Sequence, residues 1–216
     1  MNPLMNDPSA YYQKRLLVLR STLLALKWYK ALRCLEFALR YHTGFRKDEK
    51  TPEFLHQVEQ SLFALTLRSC LVHPELSVCA IILHDTLEDY YEKGVRLQDI
   101  LEVGGELVAE AVELLTNHVN GAEKPKNIYY PSMGRHIIAA FAKACDRMNN
   151  QGTMPGVFNL EKMRRKVDET NDFVFPMIKT ARRLFSEQED AYQNVKTVLE
   201  QQVRLLEYVI TPGEIQ

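Results

Sequence analysis

Apolar residues recur every three or four positions along most of this chain, and no stretch shows the sustained apolar-polar alternation of a half-buried strand. The pattern predicts an all-α protein. Leu16, Leu19, Leu23, Leu26, Tyr29, Leu32, Leu35 and Leu39 form one stripe, which predicts a long or broken helix over roughly 8–41, ended by His42-Thr43-Gly44. Thr51-Pro52 has the form of an N-cap followed by a first-turn proline, so a helix is predicted from Pro52 to about Cys70. His73-Pro74 opens the next helix in the same way, and that helix runs into His84-Asp85. Gly94 interrupts the pattern, a short turn covers 97–101, and Gly104-Gly105 precede a helix that continues through Leu115. The stretch from Asn117 to Pro131, rich in Gly, Asn, Pro and Lys, reads as a long loop of the kind that often carries function. A helix is predicted from about Ser132 to Asn150, where Gly152, Pro155 and Gly156 break the pattern. Two long helices then close the chain. One spans about Leu160 to Phe185 with a break at Pro176; the other spans Glu187 to Val209, with a stripe of Val195, Val198, Leu199, Gln202, Leu206 and Val209.

Composition narrows the class. A chain of 216 residues is long enough for one well-buried core, and 46% hydrophobic with 25% charged residues is ordinary for a soluble globular protein. The formal net charge of -1 argues against stable nucleic-acid binding, so any phosphate-rich ligand has to be held locally. Cys34, Cys70, Cys79 and Cys145 form no Cys-x-x-Cys pair and fall within apolar helical patterns, which disfavours both a disulfide framework and a thiolate zinc site. No run approaches the roughly 18 apolar residues of a membrane span, and Asp7, Lys14 and Arg15 place charge early, so a cytoplasmic protein without membrane contact is expected.

The chemistry concentrates in the run Cys79-Ala-Ile-Ile-Leu-His84-Asp85-Thr-Leu-Glu88-Asp89. An adjacent His and Asp can ligate one divalent ion. Glu88 and Asp89 lie one turn further on, on the same helix faces. The apolar lead-in from Ala80 to Leu83 indicates that the pair rises from a buried wall rather than from a solvated helix end. His56, near the start of its predicted helix, and Asp146, after the apolar run 137–141, complete a set of nitrogen and oxygen ligands without sulfur. Such a set suits Mn, Fe or Zn and leaves positions open for water and substrate.

Three stretches, in order, resemble the HD superfamily of metal phosphohydrolases, and within it the hydrolase domain of RelA/SpoT-type alarmone enzymes. The first is Phe37-Ala-Leu-Arg-Tyr-His42-Thr-Gly44-Phe-Arg46-Lys47 followed by Thr51-Pro-Glu-Phe-Leu-His56. The second is Leu83-His84-Asp85-Thr86-Leu-Glu88-Asp89, and the third Lys143-Ala-Cys-Asp146-Arg147-Met-Asn-Asn150-Gln-Gly-Thr153-Met. The resemblance covers about 31–170, which divides the chain into an N-terminal helical extension (1–30), an HD phosphohydrolase domain (31–170) and a C-terminal helical extension (171–216) packed on the same domain. It implies an HD-domain helical bundle with long terminal helices, and His56, His84, Asp85 and Asp146 as ligands of one divalent ion, manganese before others. It further implies Glu88 and Asp89 in proton transfer and water positioning, Arg46 against a purine base, Lys47 near phosphate, and Asn150 and Thr153 lining the nucleotide pocket. The implied reaction is hydrolysis of the 3′-pyrophosphate of a (p)ppGpp-like alarmone to GDP or GTP and pyrophosphate, so the expected partner is a phosphorylated purine nucleotide, guanine or adenine.

Departures from the family pattern bear on which base or phosphates are accepted. Phe45 stands where the family usually has Gln, Asn117 follows Thr116 where many members have Lys, and Gly152 replaces a common Arg. His118 and His136 fall in the interval where two-metal HD proteins place extra histidines; both read here as surface residues. His42 reads as a structural or supporting residue. The segment from Lys162 to Lys166 is an amphipathic helix face first and a phosphate or partner contact second. The alternatives are a two-metal phosphodiesterase or nucleotidase and a non-catalytic nucleotide-binding regulator. The apolar stripes of the terminal helices suit packing on the domain or a homodimer contact.

Overall fold

A computed structural model describes residues 7–46, 48–119, 122–155 and 157–211. The chain is all-α in these residues apart from a two-stranded hairpin and one isolated bridge between Phe45 and Pro52. Helix α1 spans Pro8–Ala25, α2 Tyr29–Leu39, α3 Leu55–Thr66, α4 Pro74–Leu83, α5 Thr86–Asp89, α6 Leu97–Gly104 and α7 Glu106–Leu115. The hairpin pairs β1 (His118–Val119) with β2 (Ala122–Glu123). Helix α8 spans Lys126–Met133, α9 Ile137–Gly152, α10 Leu160–Glu169, α11 Phe175–Leu184 and α12 Glu189–Ile210. None of these helices is long and apolar enough to cross a membrane.

Helix α4 organises the bundle. Every residue from Ser77 to Leu83 is buried, and α2, α3, α7 and α9 pack around it. A helix that is apolar on all sides has no face to give to water and must become the centre of a core. The first stripe is broken rather than continuous: α1 starts on Asp7, whose carboxylate accepts from Ser9 N and Ala10 N, and stops where Lys27 takes a left-handed φ of 58°. A side chain in that region costs on the order of 1 kcal/mol, so packing on both sides has to hold the bend. Leu16, Leu19 and Leu23 of α1 belong to the same hydrophobic cluster as Ile81 of α4 and Phe141 of α9. The terminal helices therefore share the central core: α1 packs on α2 and α3, and α12 packs on α9, α10 and α11.

Several predicted boundaries move. Thr51 is not an N-cap; its hydroxyl and amide bond Asp48, Pro52 pairs with Phe45, and α3 begins only at Leu55. The polar segment after Leu115 is not a long loop, because its tyrosines are core residues. Tyr129 and Tyr130 are buried, and α8 forms around them with Pro131 inside it. His136 then caps α9, its Nδ1 accepting from Ile138 N and Ala139 N. The break at Pro176 is a π-helical turn over Thr170–Val174, where the wider winding accommodates the proline's missing N–H and lets buried Thr170 accept from Gln151. The stripe of α12 is rotated from its expected position. Ala191, Tyr192, Val203 and Ile210 face inward with Val195, Leu199 and Leu206, while Val209 is exposed; Tyr29, counted in the first stripe, is exposed too.

If α1 is part of the core rather than an appendage, Leu23→Ala should lower the stability of the whole protein by about 2–5 kcal/mol while a single unfolding transition is retained. Urea unfolding followed by circular dichroism checks this, and a wild-type midpoint in the variant would place α1 outside the cooperative unit.

Candidate metal centre

His84 and Asp85 stand where α4 ends and α5 begins, and both keep right-handed backbone angles. The exposed carbonyls at the carboxyl end of a helix carry partial negative charge, so a cation is favoured there. Helix α3 brings His56 to the same place and α9 brings Asp146. One ligand atom from each of His56, His84 and Asp146 lies within 4.8 Å of the other two, and all three residues are buried. His56 Nε2 is 3.0 Å and His84 Nε2 3.8 Å from Asp146 Oδ1. Bonds of about 2.1 Å to one ion separate neighbouring ligand atoms by roughly 3 Å, which matches this spacing. This buried group could hold a metal ion.

The hydrogen bonds behind the two imidazoles prepare them as ligands. His84 Nδ1 donates to Ile81 O at 2.8 Å, and His56 Nδ1 donates to Asn149 Oδ1 at 2.6 Å. Both rings therefore turn Nε2 towards Asp146, as ligands held by an outer partner do. His84 Nε2 is ion-paired with Asp85 Oδ2 at 3.0 Å and has Asp146 Oδ1 at 3.8 Å. A buried position set between two carboxylates fits a cation. The support of His56 runs further: Asn149 Nδ2 donates to Glu59, and Tyr11 of α1 donates to the same carboxylate.

Charge is balanced tightly here. Burial works to raise Asp146, but Lys143 at 2.9 Å together with the two imidazoles holds its carboxyl well below the usual range. Lys143 bonds Asp146 Oδ2, and Asn150 Nδ2 donates to Oδ1, the oxygen that faces the imidazoles. Burial works against protonation of His84 as well, and the Asp85 charge overrides it, raising His84 to about 9. Asp85 is lowered by the same pairing, against the effect of its own burial. Its Oδ2 also accepts from Gln57 Nε2 at 3.1 Å. Asp85 is outside the mutually close three-residue group and stands beside it through His84.

Glu88 and Asp89 differ from each other. Glu88 is engaged by the hairpin: Oε2 accepts from Asn117 N and His118 N, and Oε1 is 2.7 Å from His118 Nδ1. Asp89 is at the surface, yet partial burial of its carboxyl, followed by the charges of Asp85 and Glu88, pushes it up to about 7. Asp89 is thus the better poised of the two to exchange a proton near neutrality. His42 is buried and neutral, lowered to about 4 mainly by burial, and its Nε2 meets the Thr86 hydroxyl at 3.0 Å. His118 pairs with Glu88, and His136 caps α9 with Glu110 3.6 Å from its Nε2.

A cleft of about 340 Å³ opens over the centre, with His84, Asp85, Glu88 and Asp146 on its wall. Five basic side chains (Lys126, Lys143, Arg147, Lys162 and Lys166) face five acidic ones (Asp85, Glu88, Glu123, Asp146 and Glu169), so a divalent cation would make the cleft net positive. Glu169 gathers Arg147 at 2.6 Å, Lys166 at 3.0 Å and Lys126 at 3.2 Å, and accepts from the Tyr130 hydroxyl. A second groove, of about 350 Å³, adjoins it through Asn150, Met154 and Phe158 and holds Phe45, Arg46 and Thr153. Arg46, Asn150 and Thr153 are thus brought together; Lys47 lies outside the described residues.

Sequence reasoning missed Gln57, Gln60, Asn149 and the cleft positions of Lys126 and Lys143, and it put the helix face of Lys162 and Lys166 before their contact with a phosphate. The only available signal for two of these was helical spacing, with Gln60 four residues after His56 and Asn149 three after Asp146.

Two outcomes follow. Mn²⁺ titrated into metal-stripped protein should bind, and His84→Ala should weaken binding by at least about 100-fold, read by calorimetry or electron paramagnetic resonance. Asp89 should also shape stability. Its folded pKa of about 7 exceeds the unfolded value, so the folded state holds the extra proton and stability falls as pH rises from about 4 through 7. In EDTA, Asp89→Asn should therefore gain on the wild type over that window; parallel urea midpoints from pH 4 to 8 would remove Asp89 as the cause.

No family model matches the chain, and no curated protein is found to match it, so the centre is read from its own residues and geometry.

Proposed function

We propose that the protein is a metal-dependent phosphohydrolase of the HD type that removes pyrophosphate from the 3′ position of a (p)ppGpp-like purine nucleotide. The observation that carries this reading is the convergence of His56, His84 and Asp146 beside a lysine-lined cleft that includes His84 and Asp146 in its wall. His56, His84 and Asp146, with Asp85 beside them, would hold one divalent ion, and the mixed nitrogen and oxygen set suits Mn²⁺. When bound, such an ion supplies Lewis acidity and lowers the pKa of water towards neutrality.

The chain's own groups account for the remaining requirements. Asp89, with its pKa raised to about 7, accepts a proton from water on the attacking side and returns it as the leaving oxygen needs it. Lys143, Lys126 and Lys166 stand on the cleft wall, where ammonium charges offset the charge that phosphoryl transfer spreads over oxygens. Phe45 and Arg46 in the adjoining groove offer an aromatic face and a guanidinium plane to a purine, and Asn150 and Thr153 add polar contacts. Phe45 thereby gives a physical meaning to the departure from the family's Gln, since it adds a stacking surface at the position that meets the base.

The test is to strip the protein of metal, restore Mn²⁺ and offer guanosine and adenosine 3′-pyrophosphates, dNTPs and cyclic dinucleotides in parallel. Pyrophosphate is expected from the first group alone, with no turnover by Asp85→Ala and a loss of about 10² to 10⁴ in kcat for Asp89→Asn. Turnover that survives Asp85→Ala would overturn the assignment. Phosphate release from dNTPs, or opening of cyclic substrates, would shift it to the two-metal class of nucleotide hydrolases.

A further inference from the structure

We infer that Gln60 is an additional oxygen ligand of the metal centre, delivered by a half-turn of its side-chain amide. The inference rests on the reading of His56, His84 and Asp146 as a metal site and extends it to a residue that carries no charge. Gln60 is fully buried, four residues after His56 on α3, and so shares the helix face that looks into the centre. Its Nε2 lies 2.6 Å from His56 Nε2, the nitrogen on the metal side of the ring. Its Oε1 is buried with no hydrogen-bond partner.

The polarity of the surroundings explains both facts. His56 Nδ1 carries the ring proton, because Asn149 presents Oδ1 to it and commits Nδ2 to Glu59. His56 Nε2 faces the metal side of the ring, with Asp146 Oδ1 at 3.0 Å and the Gln60 amide nitrogen at 2.6 Å. Once that nitrogen is committed to a cation, the amide donor has no acceptor there and points positive charge at positive charge. Rotation of the amide by a half-turn exchanges its two ends, placing Oε1 about where Nε2 stands. That location is 2.6 Å from His56 Nε2, a little inside the roughly 3 Å that separates neighbouring ligands of one ion. The orphaned carbonyl oxygen gains a partner by the same motion.

Gln57, one residue after His56, does not share this logic. Its Nε2 donates to Asp85 Oδ2, which remains an acceptor whether or not a cation is near, so Gln57 orients Asp85 and has no cause to turn. A neutral carbonyl oxygen at Gln60 would add a ligand without adding charge, and hard oxygen donors favour Mn²⁺ or Mg²⁺ over softer ions.

The test uses full-length protein loaded with Mn²⁺ or Co²⁺. Gln60→Leu replaces a buried amide with an apolar side chain of similar size, and Gln60→Glu retains an oxygen and adds a charge; thermal melts establish that each is folded. Gln60→Leu is expected to weaken Mn²⁺ about 10- to 100-fold and to shift the Co²⁺ d–d bands, whereas Gln60→Glu binds at least as tightly as the wild type. A wild-type Co²⁺ spectrum in Gln60→Leu would overturn the inference, since a residue that merely supports His56 leaves the inner ligands unchanged. Tight binding by Gln60→Leu, or weaker binding by folded Gln60→Glu, would overturn it as well. If wild-type protein binds neither ion, the metal-site reading itself fails, which is a separate result.

Discussion

A carboxylate buried in a helical core has to be compensated, and Asp146 sets that requirement for the centre of this protein. It sits 6% exposed within α9, a helix whose neighbours in sequence, Ala144 and Cys145, are wholly buried. Charge taken out of water costs several kcal/mol unless opposite charge and hydrogen bonds replace the lost solvent. Lys143 one turn earlier and Asn150 one turn later supply part of this along the same helix, and the imidazoles of α3 and α4 close on the remaining side. Three helices, α3, α4 and α9, are thereby held in register around one group of atoms.

The compensation is also what makes the site suited to chemistry. Histidines whose outer nitrogens are committed to Ile81 and Asn149 cannot turn away, so their inner nitrogens stay directed at Asp146. Among the described residues, the cleft above is balanced between acids and bases. Glu169 has a part in this balance. By gathering Arg147, Lys126 and Lys166 it fixes α8, α9 and α10 against one another and keeps lysines at the wall of the cleft.

Much of the candidate site was legible because its residues come in local words. His84 and Asp85 are adjacent, an apolar run precedes them, and Glu88 and Asp89 follow at one helical turn, so a short window of sequence contains both the wall and the chemistry. The helical class was legible for the same reason, since a period of three to four is repeated in each segment. The least legible stretch was 117–131. Its Gly, Asn and Pro content reads as a loop, yet Tyr129 and Tyr130 bury their rings against the core and bring α8 with them. Propensity is a local quantity, and here the gain from burying two aromatic rings outweighed it.

The order of the candidate ligands and the central apolar helix are properties that the sequence by itself determined. Periodicity and residue type express them without reference to distant parts of the chain. Tertiary structure alone decided which side chains share an atom's neighbourhood. It joined His56 to Asp146 across 90 positions, set Asp85 beside the three-residue group, gave Glu88 to the hairpin and left Asp89 with the raised pKa, and turned Gln60 into the centre. These outcomes depend on the angles at which helices cross and on the water their packing excludes, and neither quantity is written in any local stretch of residues.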